Sequence, residues 1–456
     1  MRLYLSATQK SSGKTTLGIG LAREFARRGY RVRPFKKGPD YIDPMWLSLA
    51  AGRACYNLDY HTMTPEELCA GFARHAQGAD LCLIEGNVGL FDSVDPNGAG
   101  SNAELAKLLG TAPVLIVDVK GMGRGIAPLL LGYQAFDPAL RIAGVVLNRV
   151  GSARHGANLR RVIEQYTDLP VLGLLPRADA IDIAERHLGL VPSNELDTAA
   201  RQVEAIRAHV AAHVEIDALL AIAAQAAPPP WTAPPRAARA PDVRIGVACD
   251  QAFGFYYPDD LAALEAQGAA LIPFSPLHDT ELPAVDALLL GGGFPEFYLD
   301  ALADNATMCA AVRDFLARGG PAYAECGGLM YLCRKLHWRG HSRALCGALA
   351  AEVALHERPQ GRGYVRLRQT AAFPWPGEPR VGREIFAHEF HHSAIVQPDP
   401  DWVYAYDVLR GSGIDGRHDG IVQGNLLASY AHLRSVGGND WSARFVAHVR
   451  AGRDSG

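Results

Sequence analysis

Two stretches of this chain have residue types that can do chemistry. The first, Ser11-Ser12-Gly13-Lys14-Thr15-Thr16, has the makings of a phosphate-binding loop. Backbone amides around Ser12, Gly13 and Thr16, with the dipole of a following helix, would cradle the phosphates of ATP. Lys14 would meet the β/γ oxygens and Thr15 would bind Mg²⁺. The usual first glycine of the eight-residue pattern is Thr8 here, so the strand-loop-helix context carries the reading. The second stretch, Ala324-Glu325-Cys326-Gly327-Gly328, offers a nucleophile. Small neighbours permit a sharp strand-to-helix turn, where a helix N-terminus would lower the Cys326 thiol pKa and leave the sulfur exposed. His432 is the candidate base. The amides of Gly292 and Gly293, in Gly291-Gly292-Gly293-Phe294-Pro295-Glu296, are suited with that of Gly327 to an oxyanion hole. The other seven cysteines read as buried small hydrophobes.

Acids that could serve the phosphate site end two strands. Glu85 closes the run Leu81–Ile84, and Asp40 and Asp43 follow the second strand in Lys37-Gly38-Pro39-Asp40-Tyr41-Ile42-Asp43-Pro44. Ligands gather at the carboxyl ends of parallel strands, although Pro-Asp and Asp-Pro steps also make turns unaided. His388-Glu389-Phe390-His391-His392 satisfies the HExxH zinc-protease pattern, but that pattern needs a helix, which this Pro-bounded region does not favour.

These residues require a scaffold, and short apolar runs supply it. Leu3–Ala7, Tyr30–Phe35, Leu81–Glu85, Pro113–Asp118, Ile142–Asn148 and Val171–Leu175 read as strands, several continuous enough to be buried on both faces of a parallel sheet. Leu17, Leu21 and Phe25 recur at helical spacing before Gly29, which makes the first βαβ unit. Residues 226–241 form a Pro/Ala-rich linker, and beyond it Val243–Cys249, Ala287–Leu290 and Pro321–Ala324 restart the rhythm. The expected organisation is α/β throughout, with domains at 1–225 and 242–456.

At 456 residues, two or three domains are expected. The chain is 48% hydrophobic and 20% charged with net charge −3, so nothing points to nucleic acid or an anionic membrane as partner. No apolar run approaches the ~18 residues of a membrane helix. The first residues read as a strand entering the phosphate loop rather than a signal peptide. Eight scattered cysteines without a CxxC pair suit a reducing cytoplasm. Enzymes of this size often form symmetric dimers, which leaves a homodimer open.

Taken together, Lys37–Pro44, Glu85-Gly86-Asn87-Val88-Gly89-Leu90-Phe91-Asp92, Arg186-His187-Leu188-Gly189-Leu190-Val191, Gly291–Glu296, Ala324–Leu332 and His388–His391 resemble, in collinear order over nearly the whole chain, the cobyrinic acid a,c-diamide synthase family. The resemblance implies an ATP-binding domain similar to dethiobiotin synthetase, followed by a class I glutamine amidotransferase domain. It implies that Mg·ATP phosphorylates a peripheral acetate carboxylate of a tetrapyrrole. Ammonia released from L-glutamine by Cys326 and His432 then displaces the phosphate. By family position, Asp40, Asp43 and Glu85 would serve metal and nucleotide, while Tyr41, Ile42 and Asp92 would face the substrate. Asn148 resembles a base-recognition asparagine, with a strand-end cap as the alternative. In that family the glutaminase lacks an acid two residues after its histidine, and Arg434 fits such a Cys–His dyad.

Leu47 stands beside the implied substrate region where the family usually has histidine, and His392 and Arg434 also depart from its pattern. Amidases of the same architecture act on sirohaem in sulfur-oxidising bacteria, and the chain resembles them at least as well. A different class, a P-loop ATPase switch with a degenerate glutaminase-like regulatory domain, would place a second lysine at position 9, which is Gln9.

Overall fold

The structure, a computed structural model, describes residues 1–178, 181, 183–186, 189–226, 231–232, 239–377 and 380–454. Most of the expected linker, and His187 and Leu188 of the Arg186–Val191 motif, lie outside the described residues. The chain divides into two compact units, Met1–Pro235 and Arg236–Gly456.

In the first unit seven parallel strands form one sheet. Their spatial order is Tyr56–Leu58, Val32–Lys37, Leu81–Glu85, Arg2–Ala7, Pro113–Asp118, Gly144–Val150 and Val171–Pro176. The central strand Arg2–Ala7 is buried along its whole length, as its continuous apolar run requires. The chain crosses from one side of that strand to the other, so a crevice for ligands opens at its carboxyl end. Helix Lys14–Arg27 leaves from that end and turns fully buried Leu17, Leu21 and Phe25 onto the sheet. The second strand starts at Val32 rather than at the expected Tyr30. Gly29 turns the chain at φ 91°, Tyr30 packs edge-on against Phe25, and the Arg31 amide donates to Asp80 before the ladder begins.

The second unit carries a nine-stranded mixed sheet. Ala269–Phe274, Val243–Ala248, Ala287–Leu290, Ala322–Glu325 and Leu426–Ser429 are parallel. From Leu426–Ser429 outward, His418–Gln423, Val403–Arg410, Gly361–Gln369 and Glu384–His391 continue the sheet antiparallel. His388–His391 therefore lie on an edge strand, where successive side chains alternate faces, with His392 in the bend that follows, and not on a helix. Among the described residues no helix is long and apolar enough to cross a membrane.

Candidate functional site

The phosphate loop is closed by backbone geometry and one asparagine. Gly13 adopts φ 92°, a left-handed conformation that side chains rarely enter, and a Cβ there would lie 2.2 Å from the Asn148 amide nitrogen. Asn148 Nδ2 donates to the Ser12 carbonyl at 2.9 Å, and its Oδ1 accepts from the Arg149 amide at 2.9 Å. Asn148 thus braces the loop from inside strand Gly144–Val150, two residues short of the end at which it was expected. Ser12 Oγ donates back to the Gln9 carbonyl, while Thr16 sits half-buried in the first helical turn. Lys14 Nζ donates to the Val88 carbonyl at 2.8 Å. Burial, and then repulsion from Lys36, lower its pKa to about 8.

Beside the loop the acids gather around a residue that the sequence reading passed over. Thr15 Oγ1 lies 2.8 Å from Glu85 Oε1 and 3.1 Å from Asp43 Oδ2. Lys36 Nζ donates to the same two oxygens, at 2.6 and 2.5 Å. Burial alone would depress Lys36, but Asp43, Glu85 and Asp40 outweigh it and hold the ammonium well above its ordinary pKa. Burial likewise raises Glu85, whereas at Asp43 it is outweighed by Lys36 and the carboxyl stays below its usual range. Among the described residues no three His, Cys, Asp or Glu side chains form a ready metal cage. The physical reason is visible here. The Lys36 ammonium sits amid the acids, and Asp40, 3.8 Å from it, accepts the Asp43 amide with its other oxygen as a helix-starting turn. Thr15, Asp43 and Glu85 nevertheless present hard oxygen donors, and Glu85 Oε2 is buried without a hydrogen-bond partner, a set that fits Mg²⁺.

Residues expected to face the substrate divide. Tyr41 is half-buried at the start of helix Ile42–Ala51, and Ile42 is buried. Exposed Asp92 closes a turn by accepting the Gly89 amide at 2.8 Å. Leu47 is no part of an open surface: it is fully buried, 3.3 Å from where a Gly18 Cβ would stand on the phosphate-loop helix. Its neighbour Trp46, also buried, donates its indole N–H to the Val191 carbonyl.

In the second unit Cys326 stands between strand Ala322–Glu325 and helix Gly327–Leu332 at φ 47°, ψ −100°. A non-glycine residue held there stores about 1–3 kcal/mol, the strain of a nucleophile elbow. Gly328 permits the turn, since a Cβ on it would fall 2.1 Å from the Leu290 carbonyl oxygen. The expected low-pKa, exposed thiol is corrected. Cys326 is 5% exposed, and burial followed by the Glu296 carboxylate pushes the thiol far up, against one favourable Gly327 amide. A six-residue helix does not offset that desolvation, so the thiol needs a base.

The sheet brings that base near. Cys326 N donates to the Ser429 carbonyl at 2.8 Å, which places His432, three residues on, at the same strand end. The expected oxyanion glycines converge there too. A Cβ on Gly292 would lie 2.6 Å from His432 Cε1, and one on Gly327 would lie 3.0 Å from the Gly293 nitrogen. His388 stacks on His432 at 5.0 Å between ring centres, and its carbonyl accepts the His432 amide. Arg434 is fully buried, with its guanidinium 4.4 Å over the Tyr257 ring and paired with Asp259. Sequence reasoning missed Lys36, whose signal was two lysines ending a buried strand. It also missed His388, whose HExxH context pointed elsewhere.

A nucleotide-binding unit joined to a cysteine-elbow unit defines a glutamine-dependent amidating ligase. The family comparisons carry the same division. Residues 5–191 match the CobQ/CobB/MinD/ParA nucleotide binding domain and residues 244–439 the CobB/CobQ-like glutamine amidotransferase domain. A cobyrinate a,c-diamide synthase of Magnetococcus marinus is 47% identical, covering 100% of this chain and 98% of that protein. Those of Syntrophotalea carbinolica (41%) and Methanothermobacter thermautotrophicus (37%) each cover 98% of this chain, and 98% and 99% of their own. The chain belongs to the cobyrinate a,c-diamide synthase family. That membership sets aside the alternative of a P-loop switch with a degenerate glutaminase.

Proposed function

We propose that the chain amidates the a and c acetate side chains of cobyrinic acid, with residues 1–225 as the ATP-dependent amidoligase and 242–456 as the glutaminase. A carboxylate is a poor electrophile, so it is first converted to an acyl phosphate by the γ-phosphoryl group of ATP. Lys14 and the loop amides hold the transferring phosphates and spread their charge. Mg²⁺, held by Thr15, Asp43 and Glu85, would supply further neutralisation of that charge. Asp40 stays beside Lys36 as part of the acid set, and Asn148 keeps the loop closed. Tyr41, Ile42 and Asp92 lie at the edge where the macrocycle would bind.

Ammonium is a poor nucleophile at neutral pH, so free ammonia is made on demand. His432 takes the Cys326 proton, the thiolate attacks the side-chain amide of glutamine, and Gly292, Gly293 and Gly327 receive the developing oxyanion. The C–N bond breaks, ammonia leaves with the proton, and water hydrolyses the thioester. Internally transferred ammonia then displaces phosphate from the acyl phosphate.

The observation that carries this reading is the convergence of Lys14, Thr15, Asp43 and Glu85 in a chain that also folds a strained cysteine elbow. Replacing Cys326 by Ser tests it. Glutamine-dependent amidation should vanish while ammonia plus ATP still amidates; equal loss of both in a folded variant would refute the assignment. Turnover with cobyrinic acid and sirohaem, scored by mass, tests the macrocycle. Amidation of sirohaem alone would move the chain to that substrate.

A further inference from the structure

We propose that Glu325 is the positioning carboxylate of the glutaminase, supplied from the residue before the nucleophile instead of from the position two after the histidine. The inference rests on reading Cys326 and His432 as nucleophile and base. Glu325 Oε2 lies 3.3 Å from His432 Nδ1, and the two residues are 7% and 2% exposed. The other oxygen of Glu325 is pinned: Oε1 accepts the Leu433 amide at 2.9 Å and the Tyr323 hydroxyl. With Oε1 held by two donors, Oε2 is aimed at the imidazole. The backbone enforces the register, because Glu325 pairs with Ser429 and the His432 amide is held by His388.

Among the described residues, the other carboxylates of the region hold other partners. Asp259 pairs with Arg434, and Asp260 accepts the Ser435 amide. Asp419 accepts the amides of Gly420, Tyr430 and Ala431, and Glu389 those of Ser412 and Gly413. Glu296 bears on the Cys326 thiol, as Glu325 and Glu389 do more weakly.

A carboxylate on Nδ1 keeps the proton there and leaves Nε2 to accept from the thiol, and it stabilises the imidazolium that results. In Glu325→Gln the acceptor toward Leu433 and Tyr323 survives. An amide N–H then faces Nδ1 and favours the tautomer whose Nε2 already carries hydrogen.

In the full chain, glutamine hydrolysis by Glu325→Gln should lose about 10²- to 10⁴-fold in kcat with KM nearly unchanged, and Glu325→Asp should recover part of it. Ammonia-supported amidation and thermal stability should stay at wild-type levels. The pH profile of Cys326 alkylation by iodoacetamide supplies the second readout, in a site whose titratable neighbours are His432, His388, Tyr257, Tyr430, Glu296, Glu325 and Glu389. The wild type should show a base-assisted step, in which neutral His432 draws off the thiol proton; Glu325→Gln should lack it and react only as pH rises toward the thiol's own value. Hydrolysis retained within about threefold, or an unchanged alkylation profile, would overturn the proposal. A wild type that cannot hydrolyse glutamine would instead sink the functional reading, and the alkylation profiles would still decide the role of Glu325.

Discussion

The two candidate sites are organised by opposite means. Around the phosphate loop, Lys14, Lys36, Asp40, Asp43 and Glu85 set one another's charge states through contacts as short as 2.5 Å. Around Cys326, steric confinement does the work: a backbone at φ 47°, glycines whose Cβ atoms would collide with Leu290 or His432, and a thiol raised by burial. The first site must receive several negative charges and holds a counter-charge network ready. The second must create one charge briefly and keeps its nucleophile neutral until a base acts. Charge organises the one site and shape the other.

The sharpest way to break this contrast is to remove the ammonium at the centre of the charged site. Lys36→Met leaves half-buried Asp43 and fully buried Glu85 without their cation, which should cost about 3 kcal/mol of stability in urea unfolding. Magnesium should then stabilise the variant more than the wild type, because the vacated oxygens suit a hard cation. An equal response to magnesium in both proteins would show that Lys36 does not occupy the metal's place.

The counterpart at the thiol site is a single methyl group. In Gly292→Ala the new Cβ would stand 2.6 Å from His432 Cε1, so the imidazole must move. Misplacing a base by a fraction of an ångström to one ångström should lower glutamine hydrolysis by about 10²-fold, with ammonia-supported amidation intact. A variant with full glutaminase activity would mean that the ring has room the geometry denies.

Protonation separates the sites more gently. Lys14 is lowered to about 8 by burial and by Lys36, with Glu85, Asp43 and Asp92 opposing. Its folded pKa lies below the unfolded value of 10.5, so its burial costs stability below about pH 8, and that cost is relieved as pH rises toward 10.5. Phosphate binding needs the charged form. Nucleotide affinity should therefore fall by up to about tenfold per pH unit above 8, with proton uptake on binding, measured calorimetrically in buffers of different ionisation enthalpy. Affinity flat to pH 10 would place the Lys14 pKa much higher.

How legible each site was follows from the range of its contacts. Gly13, Lys14 and Thr15 could be read because strand, loop and helix lie within a few residues, as could the sharp turn at Cys326. Lys36 could not, since a lysine at a strand end looks like a solvated charge until three acids fold around it. Glu325 meets His432 only through strand pairing across more than a hundred residues. Leu47 was placed beside the substrate from its position in a motif, but helix Ile42–Ala51 turns that position inward. The antiparallel half of the second sheet escaped for another reason. One-sided strands such as Gly361–Gln369, polar on alternate residues, lack the continuous apolar run that marked the parallel strands.

Asn148 offers the smallest and most discriminating test. Its side chain bonds the Ser12 carbonyl and the Arg149 amide, so the loop already uses one amide hydrogen and the carbonyl oxygen. Asn148→Ala removes about 1 kcal/mol of hydrogen bonding and should weaken nucleotide binding about fivefold. If Asn148 is a strut, affinity for ATP and GTP should fall together, because a looser loop holds the triphosphate less well whatever the base. If it reads the base, ATP should lose affinity while GTP does not, and the ratio of the two dissociation constants decides between the roles. The contacts to Ser12 and Arg149 favour the strut, so the expected outcome is a common loss with the ratio unchanged.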